Sequence, residues 1–365
     1  MQLRIAAFTV HKRFALTISR GTTAQTTNVL VEVEHDGISG WGEASPFSAG
    51  EQPQTTEAIA RALQRIAPLL KALNPLERQR IDQLMLDTRL PSAARAALDI
   101  ALHDWSGKQA GMPLWQLWGL DRDCIVPTSI TIGISPPEVA QQRVLSWLGR
   151  GTVSMPLHGI QALKIKLGSP AGAEADKAML LAVKEVAPHI SKISIDANGG
   201  WSLETALMMG DWLAEQGITY IEQPLAKGQE GDLPELYQRS PLPIFVDESC
   251  FTSYDILPLV DRVHGINIKL MKSGGLTEAL RMIHTARACG LKVMFGCYSD
   301  TSLLNTALAH LSPLADHLDL DSHLNLLDDP FTGASFQNGR VLPNELPGLG
   351  VVRREEDKGE AKGES

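Results

Sequence analysis

The spacing of apolar and polar residues changes near residue 125. Before it, VLVEVEHDGISGWGEA (29–44) alternates apolar and polar positions around Asp36-Gly37, as an antiparallel hairpin does. The opening MQLRIAAFTVHKRF alternates too and reads as a further strand. After the turn-rich stretch PFSAGEQPQT the period lengthens. Pro91-Ser92 is a helix start signal, and AARAALDIALHDW then sets Ala97, Leu98, Ala101, Leu102 and Trp105 on one face. Strands followed by helices predict an α+β unit over residues 1–122.

From 123 to 320 short apolar runs alternate with amphipathic stretches. Strands are predicted at 127–133, 161–167, 192–196, 218–222, 243–247, 265–269, 291–296 and 315–320. Continuous apolar runs suit parallel strands buried on both faces. Helices are predicted between them, among others at 174–187, 203–216 and 276–289, with Gly217 and Gly290 as C-terminal stops. Eight such strands close a (β/α)8 barrel of the TIM type. A doubly wound sheet is the rival, but an open sheet binds at one switch point. Residues 321–351 return to loop and strand character. Residues 352–365 carry almost no apolar side chains and are expected to form a disordered tail.

Lys166, Asp196, Glu222, Asp247 and Lys269 fall at the ends of five successive predicted strands, at intervals of 30, 26, 25 and 22 residues. Each interval suits one strand plus one helix, and a barrel aims those ends into a shared mouth. Three carboxylates in one mouth repel unless a cation holds them, and hard oxygen ligands suit Mg²⁺ first and Mn²⁺ second. Taken singly, each carboxylate is explained as well by a helix N-cap. The stretch ALKIKLG places Lys164 and Lys166 on the same face of a strand, where an unpaired lysine is expensive inside a barrel. The lysines either salt-bridge the carboxylates or serve as bases. In the second case neighbouring cations are expected to bring a lysine pKa down towards a useful range. HLDLDSH sets Asp319 and Asp321 two apart after the last strand, suited to an ammonium group. GCYSDTS adds Cys297, Ser299 and Asp300 as wall residues.

Charge and cysteine content narrow the classes. A net charge of −9 argues against nucleic acid and anionic membranes as partners. No apolar run reaches membrane-spanning length, and the polar start does not read as a secretory signal. The four cysteines lack metal or disulfide-framework spacing, so a reduced cytoplasmic setting is expected. Cys124 and Cys289 read as small hydrophobes, while Cys250 and Cys297 follow strand ends. His310, His317 and His323 are expected on surfaces or in helix packing. There is no GxGxxG or GxxxxGK[ST] stretch in the right context for nucleotide binding.

With these motifs in place, the chain resembles the enolase superfamily, in its muconate lactonizing enzyme subgroup, from GWGEASP to DLDSH. The resemblance implies a capping domain built from 1–122 and 321–351 over a modified barrel at 123–320. It implies Mg²⁺ ligands at Asp196, Glu222 and Asp247, a KxK pair at Lys164 and Lys166, and an opposing Lys269. Within the subgroup the chain is similar to dipeptide epimerases, including those acting on L-Ala-D/L-Glu. ISRGTT, DESC, NIKLMKSGGLTEAL and the DxD pair Asp319-Leu320-Asp321 carry that likeness. It implies that Asp319 and Asp321 hold the substrate ammonium. It also implies specificity contacts from loops near 15–25, 45–55 and 296–302, with Arg20 touching the second substrate residue. Ser322 and Tyr298-Ser299 depart from the usual pattern. Members of such families often assemble as homo-oligomers, and the sequence leaves the oligomeric state open.

The reaction so implied is a 1,1-proton transfer at the α-carbon of a dipeptide's C-terminal residue, through an enediolate, with Lys166 and Lys269 on opposite faces and Lys164 bonded to the carboxylate. The alternatives within the subgroup are a cycloisomerase, an o-succinylbenzoate-synthase-like dehydratase and an N-acylamino acid racemase. None of these needs an ammonium anchor. A metal-dependent barrel hydrolase is the alternative from another class, and it has no use for two opposed lysines.

Overall fold

The hairpin pattern folds as expected. β1 (Gln2–Ile18), β2 (Gly21–His35) and β3 (Ile38–Ala44) form an antiparallel sheet in that order. Asp36 and Gly37 turn β2 into β3 with φ of 51° and 74°, the left-handed pair that a two-residue hairpin needs. Residues 16–18 pair with 21–23, so the segment around Arg20 is a closed hairpin end rather than a loop. The computed structural model of the chain describes residues 1–49, 53–150 and 157–354. Part of the expected 45–55 loop lies outside them.

α1 (Thr56–Leu70), α2 (Arg78–Asp87) and α3 (Ser92–Ala110) follow, and the sheet buries Val29, Val31 and Val33 against them. α3 lies so close on β3 that a Cβ at Gly40 would sit 2.1 Å from the Ala101 carbonyl, and one at Gly42 1.9 Å from that of Ala97. The glycines of GWGEA and the alanines of α3 are therefore two sides of one contact. The short α4 (Leu114–Leu117) then leads to the barrel.

The barrel strands are β4 (Ser129–Ile132), β5 (Ala162–Lys166), β6 (Lys192–Asp196), β7 (Ile221–Glu222), β8 (Ile244–Val246), β9 (Gly265–Ile268), β10 (Lys292–Gly296) and β11 (His317–Asp319). Each pairs in parallel with the next, and a bridge from Thr128 to Leu318 closes the ring. α5 (Pro137–Trp147), α6 (Ala173–Val186), α7 (Leu203–Glu215), α8 (Leu233–Arg239), α9 (Leu270–Ser273), α10 (Leu276–Ala288) and α11 (Ser302–Leu311) fill the crossovers. One crossover departs from the expected strand-plus-helix interval. Between β8 and β9 there are two single 3₁₀ turns, Ser253–Asp255 and Leu257–Leu259, and no α-helix. Pro258 lacks the N–H that a continuing helix would use, and a Thr252–Asp255 capping box closes the first turn locally.

After β11 the chain returns to the N-terminal sheet. Phe331 packs edge-on to Phe8 at 5.9 Å and against Trp41 at 6.0 Å. Leu349 N–H donates to Asp104 on α3 at 2.7 Å. β12 (Phe331–Thr332) pairs with β15 (Val352–Arg353), and β13 (Ser335–Gln337) with β14 (Arg340–Leu342). Val352 and Arg353 are thus strand residues. The remainder of the expected tail, 355–365, lies outside the described residues.

Inside the barrel, alternation along the strands stacks side chains in layers. Tyr220, Phe245 and Met294 make an apolar floor, and His317 joins it 4.6 Å from the Tyr220 ring. That places His317 in the barrel floor rather than on a surface. Two residues beyond Tyr220, Phe245 and His317 the inward positions are charged: Glu222, Asp247 and Asp319.

Candidate active site

Lys164 on β5 is fully buried, and its ammonium donates to Glu222 at 2.5 Å and to Asp319 at 2.6 Å. Asn267, two residues before Lys269 and so on the same face, donates to the other Glu222 oxygen at 2.6 Å. Above this layer Lys166 bonds Asp196 at 2.5 Å, and Lys269 bonds Asp247 at 2.8 Å. All five residues of the sequence ladder meet in the mouth with Lys164 and Asp319. Lys166 ends β5 and Lys269 directly follows β9, four strands apart in a ring of eight, so they face each other across it.

Each carboxylate has supports of its own. Asp196 accepts from Asn198 N–H at 2.8 Å and from its amide nitrogen at 3.2 Å. Asp247 is also gripped by Lys272, whose ammonium lies 2.6 Å from Oδ1. Lys272 is buried and donates to the carbonyls of Asp247, Cys250 and Asn267. Asp319 takes further bonds from Ser129 (2.9 Å) and Thr131 (3.0 Å). Asp321 accepts from Thr131 N–H at 2.6 Å and meets no lysine within ion-pairing distance among the described residues.

A cleft of about 640 Å³ opens above, lined by Ile18, Phe47, Lys166, Lys269, Cys297 and Tyr298 among others. The Tyr298 ring stacks on Phe47 at 5.0 Å and covers the Lys269 ammonium at 4.6 Å. Arg20 reaches the mouth from the hairpin tip. It donates to the Asn198 carbonyl at 2.7 Å and to the buried Glu248 at 2.6 Å. Ser299 lines the cleft, and its carbonyl accepts from Asn28. Asp300 is not a wall residue. It is turned into the seam between sheet and barrel, where Ser45 donates to it at 2.5 Å. Cys250 is buried beneath the mouth and does not line it. Burial pushes both it and Cys297 up to about 12, so neither offers a thiolate.

The ionisations follow from this pairing. Burial disfavours the Lys164 ammonium, but Asp319 and Glu222 outweigh it and raise its pKa well above the ordinary lysine value. Burial likewise opposes the Lys269 charge, and Asp247 overcomes it, leaving the pKa raised. The expected lowering is therefore reversed at these two lysines, because each has a carboxylate in contact. Burial, then the charge of Asp196, pushes Glu222 up to about 7. Burial and Asp319 do the same to Asp321.

Comparisons with known proteins show the family and the fold. Residues 2–119 match the model for the mandelate racemase / muconate lactonizing enzyme N-terminal domain, and residues 153–358 that for the enolase C-terminal domain-like family. The chain belongs to the enolase superfamily. A hydrophobic dipeptide epimerase of Roseobacter litoralis is 47% identical over 344 residues, covering 93% of this chain and 96% of the relative. One from a Flavobacteria bacterium is 45% identical over 357 residues, covering 98% and 99%. The crystal structure of the dipeptide epimerase of Enterococcus faecalis V583, complexed with Mg and L-Leu-L-Tyr, superposes with a TM-score of 0.87 at 32% identity, covering 96% and 99%.

Among the described residues of this enolase-superfamily site, no three His, Cys, Asp or Glu side chains are gathered into a ready metal cage. Lysines occupy that role: Lys164, Lys166 and Lys269 each hold one of the three carboxylates. The donor set nevertheless fits a hard divalent cation. Asp196, Glu222 and Asp247 end adjacent strands and offer only oxygen. Asn198 Oδ1 and Glu248 Oε2, beside these carboxylates, are buried with no hydrogen-bond partner among the described residues, so spare acceptor capacity is concentrated at this spot.

Sequence reasoning missed Lys272, Asn267 and Glu248. Asn267 and Lys272 flank Lys269 at strand and helix spacing, so that signal was present. Glu248 directly follows a ladder residue, but nothing in DES marks its pairing with Arg20.

Proposed function

We propose that this chain is a dipeptide epimerase that inverts the α-carbon of the C-terminal residue by two-base proton transfer. The observation that carries it is the pair Lys166 and Lys269, set across the barrel mouth from each other beside three carboxylates, with Asp321 beyond them. Inversion needs a base on each face of the carbon; a cyclisation, dehydration or hydrolysis does not.

Asp196, Glu222 and Asp247 would hold Mg²⁺, which when bound supplies positive charge to the substrate carboxylate and to the second charge that proton loss places there. Lys166 and Lys269 would compete with a cation for the carboxylates of Asp196 and Asp247, and, displaced from them, would be available to exchange a proton with the substrate. One lysine takes the α-proton, and the other returns a proton to the opposite face. Lys164 lies one layer deeper and supplies cationic support from below, shared with Glu222 and Asp319. Asp321 takes the substrate ammonium. Asp319, already committed to Lys164, Ser129 and Thr131, fixes the floor of that pocket. Tyr298 and Phe47 shield Lys269 from water.

The side chain at the inverted carbon is apolar in this reading. Leu16, Ile18, Phe47 and Tyr298 line the cleft, and the guanidinium of Arg20 is engaged by Glu248. The names of the closer relatives support the same class. Incubating L,L-dipeptide mixtures with the enzyme and Mg²⁺ in D₂O tests the proposal. L-Ala-L-Leu and its like should gain one mass unit and yield the L,D epimer. No incorporation across a broad library, or release of free amino acids, would overturn it.

A further inference from the structure

A fifth buried lysine, Lys12, stands apart from Lys164, Lys166, Lys269 and Lys272. β1 and β2 pair regularly up to His11, and the register then breaks until Leu16. Across the break β1 is held instead by the turn after β11. Leu327 N–H donates to the His11 carbonyl at 2.9 Å, Lys12 bridges Leu326, and Asn325 bonds both backbone groups of Phe14. Lys12 follows the buried Val10 by two residues, so it points to the same, interior side. It is 8% exposed, and among the described residues its ammonium has no hydrogen bond or ion pair. The residue is buried while its ammonium opens onto a cavity where no described residue accepts from it, so a ligand acceptor placed there would meet a poorly solvated cation.

Lys12 lines a small cavity of about 40 Å³ together with Thr131, Lys166, Cys297, Asp319 and Asp321. That volume has room for a few atoms. The cavity adjoins the large cleft through Leu16, Lys166, Cys297 and Tyr298, which line both. It is therefore the place where the N-terminal residue of a dipeptide sits when its ammonium meets Asp321. Burial lowers the Lys12 pKa, while Cys297, Asp321 and Asp300 work the other way.

We propose that Lys12 is a specificity residue for the N-terminal position, favouring a small side chain that carries a hydrogen-bond acceptor, aspartate above all, and rejecting cationic ones. The inference rests on the dipeptide reading above. The Asp321 carboxylate takes the substrate ammonium, the Lys12 ammonium takes the side-chain acceptor, and the two charges read adjacent groups of one residue. A lysine or arginine side chain there would be set against Lys12 in a confined, poorly hydrated space.

The test is kcat/KM for L-Ala-L-Leu, L-Asp-L-Leu and L-Lys-L-Leu in the wild type and in Lys12→Met, a near-isosteric change. The wild type should prefer Asp to Lys at the first position, and the variant should lose about 10-fold or more of that preference. L-Ala-L-Leu should change little, which separates a reading role from a structural one. If Lys12→Met does not fold, Lys12→Gln measured on the same panel decides. An unchanged Asp-to-Lys ratio with normal turnover of L-Ala-L-Leu overturns the role of Lys12 alone. A wild type that turns over none of these substrates and no other dipeptide overturns the underlying reading as well.

Discussion

Replacing Lys166 or Lys269 by alanine should separate proton removal from inversion. The structure predicts that neither change wrecks the site. Without Lys269, Asp247 keeps the Lys272 ammonium 2.6 Å away. Without Lys166, Asp196 keeps both Asn198 bonds, at 2.8 and 3.2 Å. Loss of activity in a folded variant therefore reports on the missing base. General-base catalysis contributes about 10²–10⁴-fold, roughly 3–5 kcal/mol of barrier. Epimerisation needs both lysines, so each variant should lose at least that factor. Exchange needs only one. Each variant should still wash deuterium into the epimer whose proton faces the remaining lysine, with retention, and the two variants should favour opposite epimers. Proton NMR of L,L- and L,D-dipeptide in D₂O reads both events in one tube. Epimerisation within 10-fold of wild type in either variant, or the same epimer exchanged by both, would refute the opposed-base geometry.

Lys272→Met strips Asp247 of one cation and three carbonyls of their donor. Breaking a buried pair costs about 3–5 kcal/mol. With about 2.1 cal/mol/K per residue over 365 residues, unfolding as one unit gives a Tm fall of about 4–7 °C by calorimetry; a fall under about 1 °C would contradict it. Glu43 is pushed up to about 8 by burial and then by Asp300. Its folded pKa exceeds the unfolded value of about 4.3, so the stability it contributes is full below that value and is lost as pH rises through about 8. Glu43→Gln should flatten this decline in Tm between about pH 5 and 8, whereas parallel profiles would show that Glu43 titrates normally. Dialysis against EDTA should abolish epimerisation, with Mg²⁺ restoring it best and Mn²⁺ second; full activity after chelation would remove the assigned role of Asp196, Glu222 and Asp247.

The barrel was legible because its strands are short apolar runs, five successive ones with a charged residue at the end, and Lys166, Asp196, Glu222, Asp247 and Lys269 all reach the mouth. The hairpin at Asp36-Gly37 and the apolar face of α3 were legible for equally local reasons. What was hidden depends on partners distant in sequence. The missing helix between β8 and β9 turns on how Thr252 and Asp255 close on each other. The pairing of Lys164 with both Glu222 and Asp319 joins three strands. The raised lysine pKa values follow from contacts that spacing does not fix. The inward turn of Lys12 comes from a register break stabilised by residues 325–327, more than 300 positions away. Asp300 looked like a mouth residue from strand position alone, and only its bond to Ser45 shows that it faces the seam.

The contact of Phe331 with Phe8 and Trp41 bears on the order in which this protein is made. The first strands leave the ribosome long before residue 331 exists, and until then Trp41 and Phe8 lack their cover. Asp104 likewise waits for Leu349. The segment synthesised first is therefore completed last, after the eight barrel strands have emerged. A nascent chain halted shortly after β11 should expose apolar surface at its beginning rather than at its end, and chaperone capture would be expected at residues 1–44.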